Sequence, residues 1–392
     1  ALRWTREDDG VEVASGALEV PDLAPWQSAE VPLPVEALTG DASAVGDAGA
    51  SERWVTVTAV TTVDETWAAA GHVIGSGQVA LGPSAGEPAL ASSSSRAQTA
   101  PAGGPVRRGT EVVLGGARFD AATGSLLALG SLPVRGLRLD LWRAPTDNDE
   151  GETGHLADLW RAAGLHHLQH QVRGVEVDGD ALVVTARVAP PVHDHGVLVT
   201  YRWTAAPEDG PVDRVGGPAG AVRLDVDVQP QGEWTVPWPR VGVRLHLPRA
   251  LERATWFGRG PGEAYPDTGL ATQVSLFTAT VEGLQTPYVM PQENGHRADV
   301  RWLELTGAPG RTAGLRVEGA PTTGFTARRW TTEQLAAARH DAELVAGPDL
   351  VVTLDAALHG TGTGSCGPGV LPAYELAAEP RSFSVVLREL PA

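Results

Sequence analysis

The sequence predicts an all-β protein of the sandwich type, and three observations carry that prediction. Several stretches alternate apolar and polar residues with the period of two that turns one side of a strand toward a core. Glycine and proline are abundant, with 47 Gly and 30 Pro, and supply the turns between short strands. Helical periodicity interrupts this pattern at only two places, which does not suit a βαβ repeat.

From the N-terminus, Trp54 to Val60 gives the first alternating stretch. Residues 83–105 are small, Pro-rich and poor in charge; with no face for a core to bury, they read as a linker. Residues 1–82 are then about the size of an immunoglobulin-like sandwich or slightly less, and 106–392 suit a large two-sheet domain. His155 to Ala163 sets Leu156, Leu159, Trp160 and Ala163 on one helical stripe, with Gly164 as its stop. Val222, Leu224, Val226 and Val228 alternate with Arg223, Asp225 and Asp227, and Val241, Val243, Leu245 and Leu247 with Gly242, Arg244 and His246. These read as two strands, each with one buried face. Thr331 and Gln334 have capping-box spacing ahead of the helix-favouring run Leu335–Arg339. Alternation returns from Phe383 to Leu387.

At 392 residues the chain is long enough for two full cores. A formal net charge of -18 argues against nucleic acid and anionic membrane surfaces as partners. No uninterrupted apolar run is long enough to span a bilayer, and no signal peptide is visible. One cysteine excludes an internal disulfide framework and fits a reducing, cytoplasmic setting. The start at Ala1, close to strand-like sequence, reads as a piece of something longer.

All 30 basic residues are Arg, and Ile74 is the sole Ile, which reads as coding bias. Residue types that such bias has nearly removed survive in three clusters. Met290 and Asn294 lie in TPYVMPQENGHR (286–297), Asn148 in RAPTDNDEG (143–151), and Cys366 in GTGTGSCGPG (360–369). These are candidates for positions that tolerate no substitute.

The first cluster offers Glu293, Asn294, His296 and Arg297, a set able to hydrogen-bond a sugar, although Asn294–Gly295 is also the commonest two-residue hairpin turn and that reading is favoured. In the second, Asp147, Asn148 and Asp149 supply three oxygens for Ca²⁺ but lack the EF-hand spacing; Asx turns are the simpler reading. WFGRGPGEAYPD (256–267) has a weak nucleotide-loop look without a P-loop ending, so its glycines are read as letting backbones cross closely. Glu263 with Glu293 is the naive glycosidase pair. The His-rich LHHLQH (165–170) and HDH (193–195) lack a third set of metal ligands and read as solvated loops. Most of the 12 Trp are assigned to cores.

Taken together, these segments resemble the C-terminal part of the large bacterial β-galactosidases of glycoside hydrolase family 2. In family order the chain shows WAAAGHVIGSGQVAL from Trp67, RAPTDNDEG from Arg143, LWRAAGL from Leu159, PRVGVRLHL from Pro239 and WFGRGPGEAYPD from Trp256. TPYVMPQENGHRADVRWLEL from Thr286, FTARRWTTEQLAAARH from Phe325, LHGTGTGSCGP from Leu358 and YELAAEPRSFSVVL from Tyr374 follow.

The resemblance implies an immunoglobulin-like domain over 1–82, short of its first strands, and a galactose-mutarotase-like supersandwich over 106–392. It places the acid/base and nucleophile Glu on a (β/α)₈ barrel upstream, together with the Mg and Na that complete enzymes use. It assigns this chain no catalytic residue, cofactor or metal. Retaining hydrolysis needs two carboxyls about 5–5.5 Å apart on one scaffold, which the barrel would supply. This chain's implied contribution is a loop, Gly362–Pro368, at the barrel mouth. Cys366, flanked by Gly364 and Ser365, stands there where well-known members carry a stacking aromatic, and a thiol has no π face. Asp147, Asn148, Asp149, Glu293, Asn294 and His296 fall on barrel-facing loops, as loop-fixing residues rather than acids. Implied partners are a β-galactoside sugar, the N-terminal and barrel domains of the same enzyme, and further copies of the chain in a homo-oligomer. Two other readings stay open: a free-standing carbohydrate-binding module, marked by exposed Trp lining a groove, and a mutarotase, marked by a positioned His and Glu in the sandwich cleft.

Overall fold

The structure, a computed structural model, describes residues 1–38, 52–82, 103–151, 155–206, 221–363 and 369–392. The chain divides into two compact units, Ala1–Ser92 with Gln273–Leu276, and Ser93–Thr272 with Phe277–Ala392. Of the linker expected at 83–105, residues 83–102 lie outside the described residues. No helix among the described residues is long and apolar enough to cross a membrane.

In the first unit, β1 (Leu2–Asp8), β2 (Val11–Leu18), β3 (Arg53–Val60) and β4 (Val73–Ala80) form one antiparallel sheet in the order β2-β1-β3-β4. Trp4 and Val55 pack on its buried side with Ala37 of a one-turn helix, α1 (Val35–Leu38). Of the sandwich expected here, the described residues supply this one sheet.

The second unit opens with a small meander, β5 (Val106–Arg108), β6 (Glu111–Leu114), β7 (Ala117–Asp120), β8 (Leu126–Leu129) and β9 (Leu132–Pro133), paired in sequence order. It then builds a 12-stranded antiparallel sheet. The strands are β10 (Arg135–Asp140), β11 (Gln169–Asp178), β12 (Ala181–Ala189), β13 (Gly196–Ala205), β14 (Ala221–Gln231) and β15 (Arg240–Pro248). They continue with β16 (Arg253–Gly260), β17 (Gln273–Thr280), β18 (Arg297–Thr306), β19 (Gly314–Arg328), β20 (Asp349–Leu358) and β21 (Arg381–Leu390). The main path runs β10-β15-β20-β19-β21-β14-β13-β12-β11, and β18 leads off β19 to β16 and β17.

The alternation reads correctly in β14, where Val222, Leu224, Val226 and Val228 are buried and the charged residues between them are partly exposed. Across the core, Phe119 of the meander meets Trp203 of β13 edge to face at 5.0 Å. In β15 the expectation fails: Val241, Val243, Leu245 and Leu247 are buried, but so are Arg240, Gly242 and Arg244. The polar side of this strand is covered, and its arginines are neutralised by carboxylates rather than by solvent.

Among the described residues of the second unit, three short α-helices interrupt the run of strands. α2 (Asp147–Glu150) is a single turn, and α3 (Leu156–Ala162) ends before Gly164, which takes positive φ as the expected stop. The apolar stripe of α3 is corrected at one position: Trp160 and Ala163 are buried with Ala157, while Leu159 is exposed, because so short a helix buries a narrower face. The capping box of α4 (Thr332–Ala337) forms as read, with Thr331 accepting from Gln334 N at 3.2 Å and Gln334 reaching back to Thr331 N at 2.9 Å. Gly258 performs the close crossing expected of it, since an added Cβ would lie 2.8 Å from Val300 Cα on β18.

Candidate functional site

Three segments, each an irregular excursion from the large sheet, come together around a buried charge network. The first is Arg143–Glu150. Thr146 and Asp149 close a capping box on α2, and the Asp149 carboxylate also grips Arg143, at 2.6 Å from Nη1 and 3.1 Å from Nη2. Arg143 is fully buried, lies 4.9 Å from the Trp160 ring and donates to Gly360 O at 2.9 Å. The triplet weighed for Ca²⁺ and read as Asx turns is a helix turn with an inward carboxylate, and among the described residues no group of three His, Cys, Asp or Glu is arranged to hold a metal ion.

The second segment is Thr286–Arg297. The favoured hairpin reading of Asn294–Gly295 is overturned: no strand precedes β18 there, and only Gly295 takes positive φ. Asn294 is buried, accepting from Thr286 N at 3.0 Å and donating to Gln292 O at 2.9 Å, so its side chain ties the segment to itself. Glu263 holds the same segment from outside, accepting from Tyr288 Oη at 2.6 Å and Gly295 N at 2.8 Å. Glu293 is committed elsewhere: Arg328 Nη2 lies at 2.6 Å, Tyr265 Oη at 3.2 Å and Arg240 Nη2 at 3.4 Å. Neither carboxylate of the naive glycosidase pair is left free to act on a substrate.

The third segment is the root of the Gly-rich loop. Asp267 accepts from Thr361 N at 3.0 Å and Gly362 N at 2.8 Å, and Asn148 donates to Thr361 O at 2.9 Å. Asp147 and Gln292 exchange bonds of 3.1 and 3.2 Å, which joins the first segment to the second. Gly362 has φ +129, and a Cβ there would fall 2.0 Å from Asn148 Nδ2, so this corner requires glycine. Gly364, Ser365 and Cys366 lie outside the described residues.

Beneath these loops Arg240 pairs with Asp355 at 2.8 Å, and His296 Nε2 faces Asp355 Oδ2 at 3.5 Å. Burial pushes Asp355 up to about 6 against the pull of Arg240, and burial pushes His296 down to about 4. Burial alone would raise Glu293 too, but Arg328 and Arg240 outweigh it and hold the carboxyl at about 2. The sequence pointed to Glu293, Asn294, His296 and Asp149, all buried, and to Asp147 and Asn148 nearer the surface. It did not point to Arg143, Arg240, Arg328, Asp267 or Asp355; Arg240 and Asp355 lie on strands, where alternation marks a solvent face and a buried ionic face alike.

The signs of these shifts make a prediction. Glu293, held below its ordinary 4.5, contributes stability above that pH and loses it as pH falls toward about 2. His296, held below 6.5, makes the fold lose stability as pH falls from 6.5 to about 4, because the unfolded chain protonates first. Asp355, raised from 3.8, contributes stability that is present below 3.8 and lost as pH rises through about 6. Between about pH 4 and 6 the last two slopes oppose each other. His296→Gln removes one of them, so on acidification through that window the variant gains stability relative to the parent. Urea unfolding of both proteins across the window checks this, and parallel profiles would overturn it.

Residues 116–387 match the family described as beta galactosidase small chain, and residues 1–82 match beta-galactosidase, domain 4. The chain belongs to the beta-galactosidase small chain family. This small-chain sequence is 34% identical to a beta-galactosidase of Arthrobacter sp. (strain B7), over 99% of the chain and 38% of that protein. It is 32% identical to a beta-galactosidase of Aeromonas hydrophila, over 99% of the chain and 36% of that protein. The chain thus spans under two fifths of these relatives' length. A galactose mutarotase-like protein from Lactobacillus casei aligns with a TM-score of 0.33 at 10% identity, over 73% of the chain and 99% of its own. The small-chain fold itself is read from the strands described above.

Proposed function

We propose that this chain is the C-terminal, non-barrel portion of a β-galactosidase, which supports the catalytic barrel and lends one loop, Gly362–Pro368, to the mouth of its active site. The observation that carries the reading is the alignment of 99% of the chain with a little over a third of proteins named beta-galactosidase. The buried network supports the structural half of the reading. Glu293, Asp149 and Asp267 are held by arginines and loop backbones, which fixes loops and leaves no pair among them for general acid and nucleophile. Asp147 and Asn148, the least buried of the barrel-side candidates, are the residues proposed to meet the rest of the enzyme, and the β-galactoside is bound mainly by that rest. The carbohydrate-module reading finds less support, because the exposed Trp among the described residues, Trp26 and Trp67, both lie in the first unit and none lies in the second.

The test is activity of the purified chain on an aryl β-galactoside, prepared from a host lacking its own β-galactosidase. No turnover is expected from the chain, and turnover is expected when it is joined to the barrel-bearing portion. Hydrolysis by the chain alone would overturn the proposal. For the loop, Cys366→Trp in the complete enzyme is expected to change KM for galactosides by roughly three- to tenfold with little change in melting temperature, as a residue proposed to line the active-site mouth should. An unchanged KM would remove the loop from the proposal and leave the rest standing.

A further inference from the structure

One wall of the second unit encloses a cleft of about 450 Å³, in the range of small-molecule sites. Its lining includes Tyr265, His296 and Asp355, all buried, with Arg259, Asp299 and Tyr374 partly exposed around them. The network described above uses these groups only in part.

The hydrogen-bond accounting in this wall is incomplete. His296 Nδ1 lies 2.7 Å from Ala264 O, and a carbonyl only accepts, so Nδ1 carries the proton and Nε2 presents a lone pair. Nε2 has no hydrogen-bond partner although His296 is 5% exposed. Asp355 Oδ2, 3.5 Å away, is another acceptor, reached by a long bond of 3.4 Å from Thr353 Oγ1. Two buried acceptors therefore face each other with no donor between them, an arrangement that costs stability until something brings an O–H or N–H. Gly324, also in the cleft wall, leaves room for the imidazole to sit there, since a Cβ would lie 2.2 Å from Nε2.

Charge narrows the class of donor. Arg259 is engaged by Asp299 at 2.6 Å, while Asp267 and Asp355 add further negative charge to the lining, which disfavours phosphate and carboxylate ligands. No group of three metal-binding side chains is present among the described residues. A neutral molecule with several hydroxyls meets both requirements, giving donors to the His296–Asp355 pair and acceptors to Arg259 and the Tyr374 hydroxyl.

We infer that this cleft is a binding site for a neutral, monosaccharide-sized polyhydroxyl compound, with hydroxyl groups donating to His296 Nε2 and Asp355 Oδ2. The site is complete within this chain and does not depend on the β-galactosidase reading. Its pH response follows from the surroundings. Arg240, Arg328, Glu293 and Asp140 face Asp355, and Arg240, Arg297 and Glu293 face His296. As pH falls through about 6, Asp355 takes up a proton and donates it to Nε2, sealing the pair against a ligand.

The experiment is titration of the purified chain with D-galactose and, separately, D-glucose, followed by calorimetry or saturation-transfer NMR near neutral pH. Saturable binding in the millimolar range is expected for at least one sugar. Asp355→Asn, whose amide can supply the missing donor internally, should weaken it roughly tenfold or more. Tyr374→Phe leaves the buried network untouched and should weaken it about fivefold, so the proposal stays testable if Asp355→Asn fails to fold. No saturable binding of either sugar would overturn it, as would binding that is indifferent to Tyr374→Phe and to acidification below pH 6.

Discussion

Arg240→Ala is expected to lower the unfolding free energy of the second unit by about 3–5 kcal/mol, the range for breaking a buried ion pair by removing one partner. Arg240 is fully buried and reaches Asp355 through Nε, Glu293 through Nη2 and Trp142 O through Nη1 at 3.3 Å. Without it, Asp355 loses the cation 2.8 Å away, and Glu293 keeps Arg328 at 2.6 Å with the weaker pull of Arg143. Arg240→Lys should recover only part of the loss, since one ammonium cannot serve three directions at once. The control is Arg118→Ala: Arg118 pairs with Glu111 at 3.3 Å with half of its side chain exposed, and its loss should cost less than about 1 kcal/mol. Urea midpoints for the three variants decide the matter. If Arg240→Ala proves as mild as Arg118→Ala, the network is not what holds the loops.

A loss of similar size, about 3–5 kcal/mol, is expected for Trp160→Ala. Trp160 is fully buried, donates to Pro237 O at 2.8 Å and meets His359 edge to face at 5.5 Å. It also covers the Arg143 guanidinium, so truncation opens a cavity beside a buried charge. Trp160→Phe keeps the ring but not the donor and should cost less. Thermal unfolding of both variants measures the difference, and equal losses would mean that the indole N–H, rather than packing volume, dominates.

How far the sequence could be read is clearest on two strands consecutive in the chain. In β14 the alternation of Val222 to Val228 with charged residues describes the actual burial, because its polar side does reach water. In β15 the same alternation holds while both sides are covered, because Arg240 and Arg244 find carboxylates at Asp355, Glu293, Asp140 and Glu333. Periodicity reports polarity, and polarity does not say whether the counter-charge is solvent or protein. The capping box at Thr331 was legible since it spans four residues. The bonds of Asn294 were not, because Asn-Gly suits a hairpin on local grounds and the absence of a preceding strand is a property of the whole topology. The two surviving asparagines both bond to main chain, Asn148 across two of the segments and Asn294 within its own.

The position of β21 carries a consequence for biosynthesis. This strand pairs with β14 on one side, from Arg381 to Arg388, and with β19 on the other, from Val385 to Leu390. The path β10-β15-β20-β19 and the path β14-β13-β12-β11 meet nowhere else along the sheet order. Until a ribosome has released Leu390, two half-sheets therefore wait with open edges, each able to pair with the wrong chain. A polypeptide lacking β21 should behave as a client for chaperones rather than as a slightly weakened version of the intact sheet.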